Sequence, residues 1–388
     1  MNPSNVLLAV TKIIRPRNNR VFFISFNGLY NDNPRAISEK MHELYPELKL
    51  YWYIDKNRCK DIIPDYIHAF GKKDLKFALA YNSCRIVVEN GAGFFYCFAD
   101  SVSKYSILKN PKQIDIATWH GTPLKKIGFD TPWDKNKMFF STADFLIAGS
   151  EYELKVFESA FGKIIPLKLL GNSRNDILVK THEDEKPRIK KKLQIPNDKK
   201  IVLFAPTFRE SQMIPDKNEK PDFLMNMDIN RVLDALSMRF GHDWSFVFRG
   251  HQMIQNQIDK ERLSAPDLLS IVDGNLHDDM AEYLAIADVL ITDYSGSLFD
   301  FALTGKPCFL YAPDFEDYVF NSHGIYGNIK DLPYSVSCSM SELVDSINTF
   351  DNEEYKKKVL QFIDKYKLIH DGKSAERVVE FIVSILKK

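Results

Sequence analysis

The chain has 388 residues, 45% of them hydrophobic, which is material for two cores of roughly 150–200 residues each. Lys plus Arg (52) equals Asp plus Glu (52), so no overall basic field points to nucleic acid. Five scattered cysteines without C-x-x-C spacing, a short apolar run (Val6–Val10) cut off by Thr11 and Lys12 and no run of ~18 apolar residues exclude a disulfide framework, a signal-peptide core and a membrane span.

In chain order, strand and helix patterns alternate. "RVFFISFNG" (20–28) reads as a strand, "NPRAISEKMHELYP" (33–46) as a helix with Pro34 near its first turn, and "LKLYWYID" (48–55) as the next strand. A helix at 72–84, a strand at 85–90, a strand ending at Trp119, a strand at 143–150 and a helix at 151–162 follow. Residues 179–200 are densely charged and read as a solvated helix plus linker, so the domain boundary is expected near 180–198. The alternation restarts with strands at 200–208, 244–251, 268–273, 288–293 and 308–313, and helices around 226–240, 278–286 and 297–304. Such βαβ repetition predicts an α/β chain of two Rossmann-like domains, 1–180 and 198–370. An apolar-periodic helix within 371–388 is expected to pack back on the first domain.

Ligands of open parallel sheets bind beyond the carboxyl ends of the strands. Four strand ends carry polar residues: His120-Gly121-Thr122, Pro206-Thr207-Phe208-Arg209, Arg249-Gly250-His251 and Asp293-Tyr294-Ser295-Gly296-Ser297. In the last, Ser297 and Asp300 have capping-box spacing, and the helix start offers N–H groups to a phosphate. His120 and His251 each neighbour a glycine, which removes bulk beside the ring and opens the backbone to a ligand. A histidine at a strand end is otherwise a packed or solvated residue, but it is also the side chain best able to take an alcohol's proton near neutral pH. Arg209 suits a phosphate, or else a surface ion pair with Glu210 or Asp216.

Other signals are weaker. "GAGFFY" (91–96) lacks the third glycine of a dinucleotide fingerprint. No Asp-x-Asp and no His/Cys cluster offers metal ligands, so no protein-held metal is expected, magnesium arriving at most on the substrate's phosphates. His42, His182 and His242 read as solvated.

At these residues the chain resembles the CDP-glycerol glycerophosphotransferases of teichoic-acid and capsule synthesis. "YNDNPRAISEKM" (30–41), "WHGTPLKKIG" (119–128), "RNDIL" (174–178), "FAPTFRE" (204–210), "RGH" (249–251) and "DVLITDYSGSLFDFALTGKP" (288–307) carry the resemblance, in that order. It implies a GT-B fold with an interdomain cleft, and transfer of glycerol phosphate from CDP-glycerol to a hydroxyl of a lipid-linked acceptor, releasing CMP. It implies that His120 and His251 are the functional pair. Gln252, where the family often has proline, and Gly296, where it often has a second serine, depart from the pattern. The second departure leaves a ribitol phosphate donor open.

On this reading His120 is the general base, and His251, Arg209 and the helix start at Ser297 stabilise the diphosphate and departing CMP. Gly121, Thr122, Thr207, Arg249, Asp293, Ser295 and Gly296 complete the expected substrate contacts, with Thr122 a hydroxyl ligand. An undecaprenyl-diphosphate-linked acceptor requires the cytosolic membrane face. Residues 104–137, with seven lysines, three acids, Trp119, Phe129 and Trp133, together with Lys12, Arg15, Arg17 and Arg20, suit an anionic membrane or else form ordinary solvated loops. The chain length suggests a primase adding one glycerol phosphate over a glycerol or ribitol phosphate polymerase. A metal-independent GT-B glycosyltransferase using a nucleotide sugar is the rival of another reaction class.

Overall fold

The computed structural model describes residues 3–71, 74, 76–90, 109–131, 143–163, 165–207, 227–250, 271–315, 318 and 324–388. The described strands form two parallel sheets. The first contains β1 (Arg17–Ile24), β2 (Lys49–Tyr53), β3 (Ile67–Phe70), β4 (Cys84–Glu89), β5 (Ile114–Ala117), β6 (Phe145–Ala148) and β7 (Leu167–Leu169), in the order β3-β2-β1-β4-β5-β6-β7. The second contains β8 (Lys200–Ala205), β9 (Trp244–Phe248), β10 (Ile271–Asp273), β11 (Val289–Thr292), β12 (Cys308–Tyr311) and β13 (Ser335–Ser337), in the order β10-β9-β8-β11-β12-β13. Both are doubly wound, with the order reversing beside β1 and beside β8, where such sheets leave a crevice.

The central strands are buried on both faces, which is why they read as continuous apolar runs such as "VFFI" and "IVLFA". Helix Asp32–Leu44 lays Ile37 and Met41 on one face of the first sheet, with Pro34 in its first turn where the missing N–H costs nothing. Helix Glu151–Phe161 starts on Ser150, whose hydroxyl accepts from Glu153 N–H, and ends at Gly162 in the left-handed region at φ 71°.

The last helix, Ser374–Leu386, packs Val378, Val379 and Ile382 into the core of the first sheet beside Val21 and Ile86. Both oxygens of Asp176 accept from its first N–H groups, at Ser374 and Ala375, each at 2.9 Å. Residues 179–200 are not the solvated segment their charge suggests. Helix Lys186–Lys192 buries Ile189, and Leu193 and Ile195 follow it into the second core. Lys186 and Lys190 are buried too, because Lys186 pairs with Glu183 and Asp288 while Lys190 Nζ donates to Lys199 O. Burial of a paired lysine stem is what the charge count could not reveal. His42 is likewise half-buried and stacked on Tyr66, with centroids 3.8 Å apart.

Candidate active site

The stretch after β5 leaves the first sheet and crosses to the second. Trp119 has φ 55°, a strained value for a bulky residue, and its indole stacks on the His120 ring at 4.4 Å while meeting Phe157 and Phe161 edge-on. Leu124 is buried in the core of the second sheet, and Lys125 bridges Ile325 in antiparallel fashion. The apolar anchor on either side holds His120 between the two sheets.

The His120 ring is open to solvent on one side, while protein crowds it on the others. Its Nδ1 lies 2.9 Å from the carbonyl oxygen of Asn90, at the end of β4. A carbonyl only accepts, so Nδ1 carries the proton and Nε2 is the basic nitrogen of the neutral ring. Loss of hydration pushes the pKa below its ordinary 6.5; the Asp32 carboxylate and the Asn90 carbonyl oppose this, and the Arg174 cation adds to it. The ring is therefore neutral at pH 7.

Arg174 was not expected from the sequence as a site residue. Its Nη1 donates to the His120 carbonyl at 2.8 Å and to Asp32 Oδ1 at 3.2 Å, and its Nη2 pairs with Asp300 Oδ2. Gly121, at φ 125°, makes room for it, since a Cβ there would run into the guanidinium. The glycine thus serves a neighbouring arginine, not the open ligand approach read from the sequence. Thr122 is corrected as well: its buried hydroxyl donates to Glu153 Oε1 at 2.6 Å. Glu153, fully buried, also accepts from Gly149 N–H at 2.6 Å and Asn172 Nδ2 at 2.9 Å, and desolvation raises its pKa despite these bonds.

Across the interface, the Ser295-Gly296-Ser297 turn faces this loop. A Cβ at Gly296 would lie 2.6 Å from Thr122 O, so the residue that departs from the family pattern sits at a close backbone approach. Ser297 donates both its hydroxyl (2.9 Å) and its N–H (3.3 Å) to Ser295 Oγ. The expected capping box does not form. Gly296 is the N-cap of the short helix Ser297–Ala302, without a side-chain cap bond, and Asp300 turns away to accept from Arg174 and from Asn175 Nδ2 at 2.7 Å.

Asp293 Oδ1 accepts from the N–H groups of Thr207 and Tyr294, both at 2.7 Å, tying the ends of β8 and β11 at the point where strand order reverses. Arg249 is buried and committed to structure: its guanidinium donates to the carbonyls of Gly274 (2.5 Å), His277 (2.8 Å) and Asp278 (2.9 Å) and lies over the Tyr283 ring at 4.7 Å. That argues against the substrate contact expected of it. The loop so held meets the first sheet's side, where Lys60 N–H donates to Asp278 Oδ2 and Arg35 pairs with Asp279 and Glu282. His251 and Arg209 lie outside the described residues, as do 104–108 and 132–137 of the basic-aromatic stretch, Trp133 among them. Trp119 belongs to the interior packing described above, which removes it from a membrane-facing set.

The family described as CDP-Glycerol:Poly(glycerophosphate) glycerophosphotransferase matches residues 7–384. The chain belongs to this family. It is 30% identical over 387 residues to the teichoic acid poly(glycerol phosphate) polymerase of Staphylococcus epidermidis, covering 95% of this chain and 51% of that protein. It thus spans about half the length of that relative. A Bacillus spizizenii protein of the same name is also 30% identical, with 94% of this chain and 92% of that protein covered. Among solved structures, one of the wall teichoic acid polymerase TagF has TM-score 0.81 at 25% identity, covering 99% and 94% of the two chains. A histidine-to-asparagine variant of TagF soaked with CDPG has TM-score 0.77 at 25% identity, with the same coverage.

Among the described residues no group of three or more His, Cys, Asp or Glu side chains is placed to hold a metal ion. No helix among them is long and apolar enough to cross a membrane.

Proposed function

We propose that the chain is a GT-B phosphotransferase moving glycerol phosphate from CDP-glycerol to a hydroxyl of a lipid-linked acceptor, an undecaprenyl-diphosphate disaccharide of wall teichoic acid synthesis. Residues 1–180 serve the acceptor and the cytosolic membrane face, residues 198–370 bind the donor, and residues 371–388 brace the first unit. The observation that carries the reading is His120, held by the Asn90 carbonyl with Nε2 as its basic nitrogen and neutral at pH 7. Nε2 takes the acceptor proton as that oxygen attacks the glycerol-bearing phosphorus. The bond from this phosphorus to the oxygen bridging to CMP breaks, and CMP leaves with that oxygen. His251, Arg209 and the turn at Ser295, Gly296 and Ser297 stabilise the diphosphate and the leaving group. No residue-held metal takes part, magnesium entering only with the donor's phosphates.

A second reading, a poly(glycerol phosphate) polymerase, is favoured by the Bacillus spizizenii relative, which has that name and is 92% covered by this chain. Length therefore does not separate one addition from many. Thermal protection tests the donor: CDP-glycerol raises the melting temperature, and protection by UDP-sugars alone would support a glycosyltransferase instead.

A further inference from the structure

We propose that Arg174 is a positioning residue: it clamps the His120 loop to the helix that follows the Ser295–Ser297 turn, setting the distance between the base and the donor's phosphates. The inference rests on the function proposed above. The loop needs such a clamp, because Trp119 at φ 55° and Gly121 at φ 125° hold a backbone that L-residues rarely adopt. Three groups meet on one guanidinium. Nη1 reaches the His120 carbonyl and Asp32 at the start of helix Asp32–Leu44, and Nη2 reaches Asp300, three residues after Ser297 on the other sheet's side. The side chain is 14% exposed, and its Asp300 partner 2%.

The surroundings fix Arg174 in turn. Asn33 Oδ1 accepts from Arg174 N–H at 3.0 Å, while Asn33 Nδ2 donates to the carbonyls of Thr118 and Trp119, each at 3.2 Å. Asp32 Oδ2 accepts from Asn90 Nδ2 at 3.0 Å, and Asn90 supplies the carbonyl that orients His120. The arginine, the two acids, the asparagines and the histidine thus form one connected unit spanning both sheets. A planar fork is what such a three-way junction requires; an ammonium at the same place keeps the charge without the geometry. Arg174 touches no reacting atom. It acts on catalysis through the placement of His120, and a misplacement of about 1 Å costs on the order of 100-fold in rate.

The charged groups facing His120 among the described residues are Asp32 and Arg174. Removing the cation leaves Asp32 unopposed, so the His120 pKa rises. The test compares wild type with Arg174→Gln, Arg174→Lys and Asp300→Asn, each checked for folding by its melting temperature. Expected for Arg174→Gln is a loss in kcat of roughly 30–100-fold, KM for CDP-glycerol within about 3-fold, and an acid limb of kcat moved to higher pH. Arg174→Lys keeps the acid limb near its wild-type place but not the rate. The double variant Arg174→Gln/Asp300→Asn is expected to be no slower than the slower single one, since both break one unit. Should Arg174→Gln fail to fold, the Arg174→Lys and Asp300→Asn variants carry the comparison. NMR titration of His120, assigned with His120→Gln, reads the same pKa rise without any turnover. Folded variants with unchanged kcat and unchanged His120 titration would overturn the clamp, as would a loss confined to KM. A wild type that releases no CMP from CDP-glycerol would overturn the proposed function instead, and the titration would still judge the clamp.

Discussion

In the proposed base, His120, tautomer and charge state are set by different neighbours. The Asn90 carbonyl fixes the proton on Nδ1, and partial loss of hydration, with the Arg174 cation nearby, favours the neutral ring. A base must be unprotonated to act, and its pKa lies below 6.5, so kcat is predicted to hold from neutral pH down to below 6.5 before its acid limb begins. An acid limb above 6.5 that moves with His120 substitutions would contradict this. His120→Ala is predicted to lower transfer by at least about 100-fold while calorimetry still detects CDP-glycerol binding. Replacing His251 or Arg209 by alanine is expected to weaken that binding as well, since both are proposed to meet the donor's phosphates. Retained activity with lost donor binding in His120→Ala would reverse the roles.

At the scale of elements, most strands and helices were legible because buried parallel strands are apolar runs and the helices between them are amphipathic. Helix Glu151–Phe161 was expected at 151–162, and the strand Val289–Thr292 at 288–293. The short edge strands Ile67–Phe70, Leu167–Leu169 and Ser335–Ser337 were missed, being too brief for a periodicity to form. The strand ends were legible as places, but not the uses of their side chains. Arg249 and Asp293 look like ligand contacts in sequence and prove to hold backbone groups, because nothing local shows which carbonyl or N–H lies opposite. Arg249→Ala is accordingly predicted to cost about 3–5 kcal/mol of stability, leaving buried carbonyls unpaired, with donor affinity in the folded fraction changed little. A large affinity loss at unchanged melting temperature would return Arg249 to the substrate. Asp176→Ala, which removes both acceptors at the start of the last helix, is predicted to cost about 1–2 kcal/mol and to raise hydrogen exchange in 374–386 first.

For the whole molecule, the sequence carries the family through motifs that lie far apart in the chain and close together in space. His-Gly-Thr of one sheet meets Ser-Gly-Ser of the other where Thr122 O approaches Gly296, and Arg-Asn-Asp supplies both the Arg174 clamp and the Asp176 cap. The residue pairs across this interface have sequence separations above 100, as for Arg174 and Asp300, so no window of the sequence could reveal them.

The central claim, glycerol phosphate transfer from CDP-glycerol with His120 as base, is tested most directly by mass spectrometry of the product from a soluble lipid-diphosphate disaccharide and excess CDP-glycerol, with His120→Ala alongside. The account predicts an acceptor heavier by glycerol phosphate and one CMP released per addition, both absent with the variant. A ladder of such additions would select the polymerase reading and leave the chemistry intact. An unmodified acceptor with CDP-glycerol, or product formed equally by His120→Ala, would contradict the account.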